Sequence, residues 1–265
     1  LTNLAVLSTK NISQSKLIPL PIANSTNLEE GQQVVAIGNT MGLSRQITSG
    51  IISGLVQPIP VFDQNISKSS TKIPNGITTS LNLGTGYGGS PLLDTKGQVI
   101  GMNIGNYTST DTTASQTKNT GTSYAVPSNS INKIIPSLLI NGYYLHPWFG
   151  VSGIDITRDL AKALNLNESR GFLVVDVANP SPAKKAGILG GDNTTSINGR
   201  KITLGGDIIL KIDNKDFLNF HDMLAYIENN KNVGDSMLVT VLRNELPQYN
   251  TVKLEANPIY LPHLK

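Results

Sequence analysis

The sequence predicts a mainly β protein with two domains, and two observations support this prediction. The chain has 265 residues, which is enough for two separate hydrophobic cores. Its first half contains short runs of apolar and β-branched residues closed by glycine or proline, with no helical periodicity among them. Short strands at this spacing favour an antiparallel barrel or sandwich.

The first half is predicted to contain strands, two polar loops and one closing helix. The strands are expected at residues 4–7, 16–22, 33–38, 46–55, 77–83, 99–104 and 122–126. The loops are expected at residues 57–76, which contain three prolines, and at 106–121, which are rich in Ser and Thr. Apolar residues then recur at helical spacing, which predicts a helix over 128–141 that ends at Asn141-Gly142.

The second half mixes short helices with strands. Helical segments are expected at residues 159–166, 181–188 and 220–229, and strands at 171–177, 205–213, 237–243 and 248–254. The segment 220–229 is amphipathic, because its apolar residues follow the i, i+3, i+4, i+7 pattern.

Composition excludes several classes of protein. The formal net charge is +3 and Lys and Arg are not clustered, so no electrostatic footprint for nucleic acid is present. Without cysteine the chain forms no disulfide and has no thiol nucleophile. The chain starts at Leu1 in a strand-like pattern, from which we expect that an upstream signal peptide or anchor is missing. Together with several Asn-x-Ser/Thr sequons, this predicts an extracytoplasmic protein.

A glycine-rich stretch at residues 86–93, Gly-Tyr-Gly-Gly-Ser-Pro-Leu-Leu, carries the most specific chemical signal. It resembles the nucleophile loop of trypsin-like proteases, Gly-Asn-Ser-Gly-Gly-Pro-Leu, which exposes a serine hydroxyl and aims backbone N–H groups at the oxyanion. Counted back from the Pro-Leu pair, the serine position holds Gly88. The loop is therefore expected to keep the backbone donors of Gly86, Gly88 and Gly89 without the nucleophile. Tyr87, where the family has Asn, is expected to crowd the oxyanion pocket.

Further segments resemble the HtrA (Deg) family of serine proteases, and they occur in the same order. Residues 31–39 resemble its Gly-x-x-Val-x-Ala-Ile-Gly-Asn strand, and residues 48–53 resemble its Thr-x-Gly-Ile-Ile-Ser strand. In the second half, residues 147–151 resemble its Pro-Trp-Leu-Gly-Val segment, and residues 181–188 its Ser-Pro-Ala-x-x-Ala-Gly-Leu turn and helix.

The resemblance implies a domain organisation. It comprises a trypsin-like (chymotrypsin-fold) double β-barrel, incomplete at its N-terminus, at 1–141, a linker at 142–147, an α+β PDZ domain at 148–257 and a tail at 258–265. An inserted hairpin around residues 198–200 is also implied, as in one branch of these proteases.

The same alignment implies a degenerate catalytic site. The family's Asp-Leu-Ala-Val-Leu strand falls on residues 2–7, and its catalytic Asp position holds Asn3. The family's catalytic His lies upstream of that strand, outside this chain, and all three histidines of the chain follow the nucleophile loop. Two hypotheses stay open: Asn3 and Gly88 leave a homologue that binds without cutting, or Ser90 has become the nucleophile of an active enzyme.

For the second domain the resemblance implies binding of peptide C-termini. A glycine between bulky apolar residues lets consecutive N–H groups face a terminal carboxylate. The helix at 220–229 would form one wall of the groove and divide its residues between groove and core. The predicted peptide-binding residues are Trp148, Phe149, Gly150, Val151, Phe220, Met223, Leu224 and Ile227.

The favoured hypothesis is a protease homologue in protein quality control, inactive as written, that holds unfolded polypeptides or C-terminal peptides. The alternative is an active, ATP-independent serine endopeptidase that uses Ser90. A third hypothesis is a structural subunit of a homotrimer or of a mixed assembly with active homologues. None of these requires a cofactor or a metal, and none involves nucleic acid.

Overall fold

A computed structural model describes residues 3–10, 12–13, 17–40, 44–61, 71–84, 86–109, 118–197 and 199–258. The chain divides into two compact units, Leu1–Tyr144 and Leu145–Lys265, which we call the barrel unit and the sheet unit. The division falls within the predicted linker at 142–147. None of the described helices combines the length and the apolar character needed to cross a membrane.

Six antiparallel strands of the barrel unit close into a barrel in the order β1-β2-β3-β6-β5-β4. They are β1 (Gln33–Thr40), β2 (Ser44–Val61), β3 (Thr71–Thr79), β4 (Pro91–Leu93), β5 (Val99–Ser109) and β6 (Lys118–Pro127). Alternate residues point inward, as in β1, where Val34, Ala36 and Gly38 are buried. The predicted antiparallel barrel is confirmed.

Both predicted loops of the barrel unit are shorter than expected. β2 and β3 extend into 57–76 and pair as far as Val61 with Thr71, and β5 and β6 extend into 106–121 as far as Ser109 with Lys118. Residues 62–70 and 110–117 lie outside the described part. The polar composition was misleading, because ladder hydrogen bonds join backbone groups whatever the side chains are. The predicted strand at 4–7 is wrong, since these residues are irregular.

A helix, α1 (Ser128–Asn141), ends the barrel unit at the predicted residues. Gly142 ends it in the left-handed conformation, with its N–H donating to the Leu138 carbonyl. No side chain of the preceding residue, Pro127, caps its first turn. A short 3₁₀ turn, Ser25–Asn27, lies against that turn instead.

The sheet unit is built on a six-stranded antiparallel sheet with the main order β15-β14-β12-β9-β8 and with β13 beside β12. The strands are β8 (Val151–Asp155), β9 (Phe172–Val177), β12 (Ile208–Ile212), β13 (Lys215–Asp216), β14 (Ser236–Arg243) and β15 (Leu246–Lys253). Two short strands, β7 (Pro147–Trp148) and β16 (Glu255–Ala256), pair with each other. The edges of the main sheet are therefore β8 and β15.

Helices and a hairpin complete two apolar clusters on this sheet. The larger cluster contains buried residues of α3 (Pro182–Lys185) and α4 (Phe220–Asn230) with residues of β9, β12 and β14. The smaller contains residues of α2 (Arg158–Ala163) and of a hairpin, β10 (Asn193–Ile197) and β11 (Arg200–Leu204). The hairpin expected around 198–200 is present.

Candidate functional site

The glycine-rich loop lies just before β4 and is fixed by β5. The Gly89 N–H donates to the Asn103 carbonyl at 2.7 Å, and the Asn103 N–H donates to the Ser90 carbonyl at 2.9 Å. Within the loop the Ser90 N–H donates to the Tyr87 carbonyl at 2.9 Å. Gly86 and Gly89 have φ of 102° and 81°, a left-handed conformation that glycine adopts without strain. The loop is therefore a tight turn held to the barrel wall.

Gly88, which the sequence comparison aligns with the nucleophile position, is exposed. Nothing lies within 4 Å of a Cβ placed on it, and its φ is not in the left-handed region. A serine would fit here without strain. The fold therefore does not require glycine at this position, and a ligand could contact the exposed backbone there.

Two of the three predicted oxyanion donors have no hydrogen-bond partner for their amides in the described part of the chain. Among the described residues, the N–H groups of Gly86 and Gly88 have no hydrogen-bond partner. The prediction for Gly89 is wrong, because its N–H is already used by the Asn103 carbonyl. Unpaired backbone N–H groups of this kind can stabilise an oxyanion or bind a carbonyl oxygen if they point to a common place.

Tyr87 belongs to the barrel core and does not cover the loop, which corrects the expectation that it crowds the oxyanion pocket. Its side chain is only 4% exposed and packs in the cluster that contains Val34, Leu92 and Ile100. The ring lies over the backbone of Gly38, where a Cβ would come within 2.5 Å of a ring carbon. A large aromatic residue is accommodated here because its neighbour is glycine.

The hydroxyl of Ser90 is held by a side chain that the sequence did not suggest. Asn103 is fully buried, and its Nδ2 donates to Ser90 Oγ at 3.0 Å. The same Nδ2 lies 3.3 Å from the carbonyl oxygens of Ser90 and Pro91. Residues 1–144 contain no histidine that could deprotonate Ser90. The only available signal for Asn103 was a single amide within the apolar β5 run.

Asn3 is exposed and lies in an irregular segment with φ of 54°. The next residue, Leu4, packs against the cluster of Ile59 and Val126. The described contacts do not bring the Asn3 side chain to the loop at 86–90. Among the described residues, no hydrogen bond joins Asn3 to Gly88 or Ser90.

A second candidate site is the turn between β7 and β8. Gly150 is buried with φ of 88°, and a Cβ on it would lie 2.4 Å from Ser181 Cβ. The carbonyls of Phe149 and Gly150 accept N–H groups of Ala183 and Ala178, both at 3.0 Å. In the described structure the N–H groups of Phe149 and Gly150 have no partner. Two consecutive free amides in a rigid turn form an anion-binding nest.

Beyond this turn, the end of β8 lies next to the start of α4. β8 pairs only with β9, so its outer edge has no strand partner within the described ranges. Asp155, the last residue of β8, accepts the Phe220 N–H at 2.6 Å, and the Phe220 ring stacks on Phe172 at 4.2 Å between centroids. The first turn of α4 is therefore fixed next to the open edge.

Three of the predicted groove residues belong to the core instead. Phe149, Met223 and Ile227 are at most 3% exposed and lie in the larger apolar cluster of the sheet unit. Met223 and Ile227 are four residues apart, so they share the face of α4 that packs on the sheet. Leu224 is half-buried and belongs to no core cluster. The remaining predicted residues, Trp148, Val151 and Phe220, are half-buried.

An ionic cluster fastens the other end of α4. Asp213 accepts from Lys231 Nζ at 2.6 Å, from the Tyr226 hydroxyl at 3.1 Å and from the Leu238 N–H at 2.9 Å. Burial acts to raise the pKa of Asp213, but these hydrogen bonds and the Lys231 charge together hold the pKa below its ordinary value. The hydrogen bond to Asp213 likewise raises the pKa of Lys231. Both ends of α4 are thus fixed to the sheet by carboxylates.

The closed antiparallel barrel with its glycine-rich turn defines the first unit as a trypsin-like peptidase domain, and the model of the family Trypsin-like peptidase domain matches residues 1–102. A probable periplasmic serine protease do/HhoA-like of Haemophilus influenzae is 33% identical over 198 residues, covering 75% of this chain and 40% of that relative. The chloroplastic Protease Do-like 1 of Arabidopsis thaliana is 30% identical over 245 residues, covering 92% and 51%. The chain belongs to the HtrA family of serine protease homologues.

Solved structures agree on the fold. The HtrA-type protease AlgW with tripeptide aligns with a TM-score of 0.66 at 23% identity, covering 95% of this chain and 72% of that one. The same protease with decapeptide gives a TM-score of 0.60 at 24% identity, covering 90% and 64%. At this identity the likeness shows the fold alone. The chain spans about half the length of the curated relatives it matches.

Proposed function

We propose that this chain is a protease homologue that binds polypeptides without cleaving them, and that its sheet unit is a PDZ domain for peptide C-termini. The observation that carries the first part is Gly88. A glycine aligns with the nucleophile position, in a loop whose Gly86 and Gly88 N–H groups have no partner among the described residues. No acyl-enzyme forms without a nucleophile, whereas a carbonyl oxygen can still be bound.

The active-enzyme alternative depends on Ser90, and its surroundings do not favour it. The Ser90 hydroxyl accepts a hydrogen bond from buried Asn103, and Asn103 has no basic nitrogen that could take the serine proton. Ser90 also anchors the turn through its backbone N–H and carbonyl. Its side chain is therefore better explained as part of the support of the loop.

A serine-directed fluorophosphonate probe and an unfolded casein substrate test this part on the full-length protein. We expect neither labelling nor cleavage above the level of a Ser90→Ala variant, with trypsin as positive control. Labelling and cleavage that disappear in Ser90→Ala would establish Ser90 as nucleophile and refute the binding-only proposal. Circular dichroism on both proteins ensures that an inactive sample is folded.

Peptide binding is supported by the groove beside the Phe149-Gly150 turn. The N–H groups of Phe149 and Gly150, which have no partner in the described ranges, suit a terminal carboxylate, and the edge of β8 that no described strand covers can take an added strand. Structural neighbours of the chain include the HtrA-type protease AlgW with tripeptide and with decapeptide. From the family we extend the proposal to unfolded polypeptides as partners in protein quality control.

Fluorescence anisotropy with a labelled peptide measures this binding directly. We expect the peptide with a free C-terminus to bind and its C-terminal amide to bind at least tenfold more weakly, because the amide has no carboxylate for the nest. Leu224→Glu should weaken binding about tenfold or more, because it puts a charge in the groove. Leu246→Glu is the matched control, since Leu246 is 66% exposed on β15 at the opposite edge of the sheet. Equal binding by the acid and the amide would refute carboxylate recognition.

Assembly as a homotrimer or together with active homologues stays a prediction from the family. Sedimentation velocity at several concentrations tests it. A single monomeric species across the range would refute the homotrimer.

A further inference from the structure

We infer that Asp155 makes the groove select peptides that carry a basic residue shortly before the C-terminus. The inference rests on the proposed peptide groove and names the class of peptide that this groove takes. It starts from the position of one carboxylate: Asp155 ends β8, at the opposite end of the strand from the Phe149-Gly150 turn. Its side chain reaches α4, so it lies across the far end of the groove.

The charge of Asp155 is only partly compensated. Its Oδ1 accepts the Phe220 N–H at 2.6 Å. This amide lies at the start of α4, where backbone N–H groups have no partner within the helix. Its Oδ2 makes no hydrogen bond among the described residues. None of the ion pairs found in the described ranges includes Asp155. The half-buried Asp155 therefore keeps one carboxylate oxygen without a cation or hydrogen-bond donor among the described residues, at the end of the β8 edge to which a ligand strand would add.

A neighbouring carboxylate adds to the negative charge of Asp155. Asp222 lies in the first turn of α4 and adds a second carboxylate two residues after Phe220. The titratable residue His221 lies between Phe220 and Asp222 in the sequence, and its ring centroid is 6.3 Å from that of Phe220. With two carboxylates and one imidazole at the helix start, this end of the groove attracts a Lys or Arg side chain and repels Glu or Asp.

Strand geometry gives the position of the selected residue. A peptide that adds antiparallel to β8, with its carboxylate at the Phe149-Gly150 turn, advances one residue for each residue of β8. Asp155 is four residues beyond Val151, and β8 has no inserted residue, because the register irregularity between Ser152 and Gly153 comes from Val175 of β9. The selected side chain therefore lies four residues before the peptide C-terminus if the terminal residue pairs with Val151, and three before it if the terminal residue pairs with Ser152.

The test uses labelled hexapeptides with a C-terminal Val in which Lys, Gln or Glu occupies the third or the fourth residue before the end. Affinities for the whole chain are measured by fluorescence anisotropy at low and at high salt. We expect Lys to bind about tenfold more tightly than Glu at one of these positions, with the difference shrinking at high salt. The free-acid Gln peptide should bind in between.

Asp155→Asn is the diagnostic variant, because the amide oxygen can still accept the Phe220 N–H while the charge is gone. It should abolish the Lys preference, so that the Lys, Gln and Glu peptides bind this variant within about twofold of one another. Glu245→Gln is the matched control: it removes one negative charge in the turn between β14 and β15, at the opposite edge of the sheet. It should keep the preference.

The outcomes separate the two proposals. If free-acid peptides bind but Lys, Gln and Glu are equivalent, the groove remains and the selectivity is refuted. If the Lys preference survives in Asp155→Asn, the assignment to Asp155 is refuted. If no free-acid peptide binds the folded protein, the proposed peptide groove fails, and the inference fails with it.

Discussion

The contact between the ring of Tyr87 and the backbone of Gly38 can be measured by a double-mutant cycle. A Cβ on Gly38 would lie 2.5, 2.6 and 2.9 Å from three ring carbons, whereas carbon atoms in contact prefer about 3.5–4.0 Å. In a buried cluster such overpacking costs about 2 kcal/mol of unfolding free energy. Tyr87→Ala removes an almost fully buried aromatic ring and costs about 4 kcal/mol.

The double variant gives the decisive number. Once the ring is gone, an alanine at Gly38 meets no clash, so Gly38→Ala should cost less than about 0.5 kcal/mol in the Tyr87→Ala background. Urea unfolding of the wild type, the two single variants and the double variant yields a coupling energy of about 2 kcal/mol. If the two single effects add, or if Gly38→Ala is harmless in the wild type, then Tyr87 does not pack on Gly38. A surface position of Tyr87 over the oxyanion pocket would then have to be reconsidered.

Three further substitutions probe other features. Gly88→Ser should change the unfolding free energy by no more than about 0.5 kcal/mol in urea, since the position is open; a loss above about 1.5 kcal/mol would contradict this. Gly153→Ala would place a Cβ 1.9 Å from the Leu173 carbonyl oxygen and should lower the unfolding free energy by more than about 3 kcal/mol. Gly84→Ala is the control and should be tolerated, because nothing lies within 4 Å of a Cβ there. Equal melting temperatures of the two variants would contradict the close approach at Gly153. Asp213 has a lowered pKa in the folded protein, so its contribution is fully present above its ordinary pKa of 3.8 and is lost as the pH falls through the lower folded value. Asp213→Asn should therefore destabilise the protein at pH 7 and make its thermal stability less sensitive to acid below about pH 4; parallel acid profiles would contradict this.

The barrel could be predicted from sequence because its strands alternate buried and exposed residues, as β1 does from Val34 to Gly38. Its long hairpins could not, because polar and proline-containing strands are indistinguishable from loops until their partners are known. The helix α1 was predicted to the residue, since both its apolar spacing and its terminal Gly142 are local signals. The strand expected at 4–7 is a local signal too, but no strand ladder of the described residues includes this segment.

The candidate sites show the same division. The position of Gly88 could be assigned from the sequence, because the motif that locates it is a continuous run of glycine, serine and proline residues. Asn103 was missed because its role depends on β5 lying against the loop. The Gly89 amide was predicted free because a sequence does not show which carbonyl approaches it. Along α4 the spacing identified an apolar stripe but could not separate Leu224 from the core residues Met223 and Ile227.

The start of α1 links the order in which the barrel unit folds to a contact far along the chain. The Asn129 N–H donates to Ser25 Oγ at 3.1 Å, and Asn129 Nδ2 donates to Asn24 Oδ1 and Thr26 Oγ1, both at 2.8 Å. These partners lie about one hundred residues earlier, so completing the first turn of the helix requires closing a very long loop. Contacts of such sequence separation form slowly. We therefore expect the Asn129 amide to gain protection late in pulse-labelling hydrogen exchange, after the amides of the β1–β2 hairpin, and early protection would contradict this order.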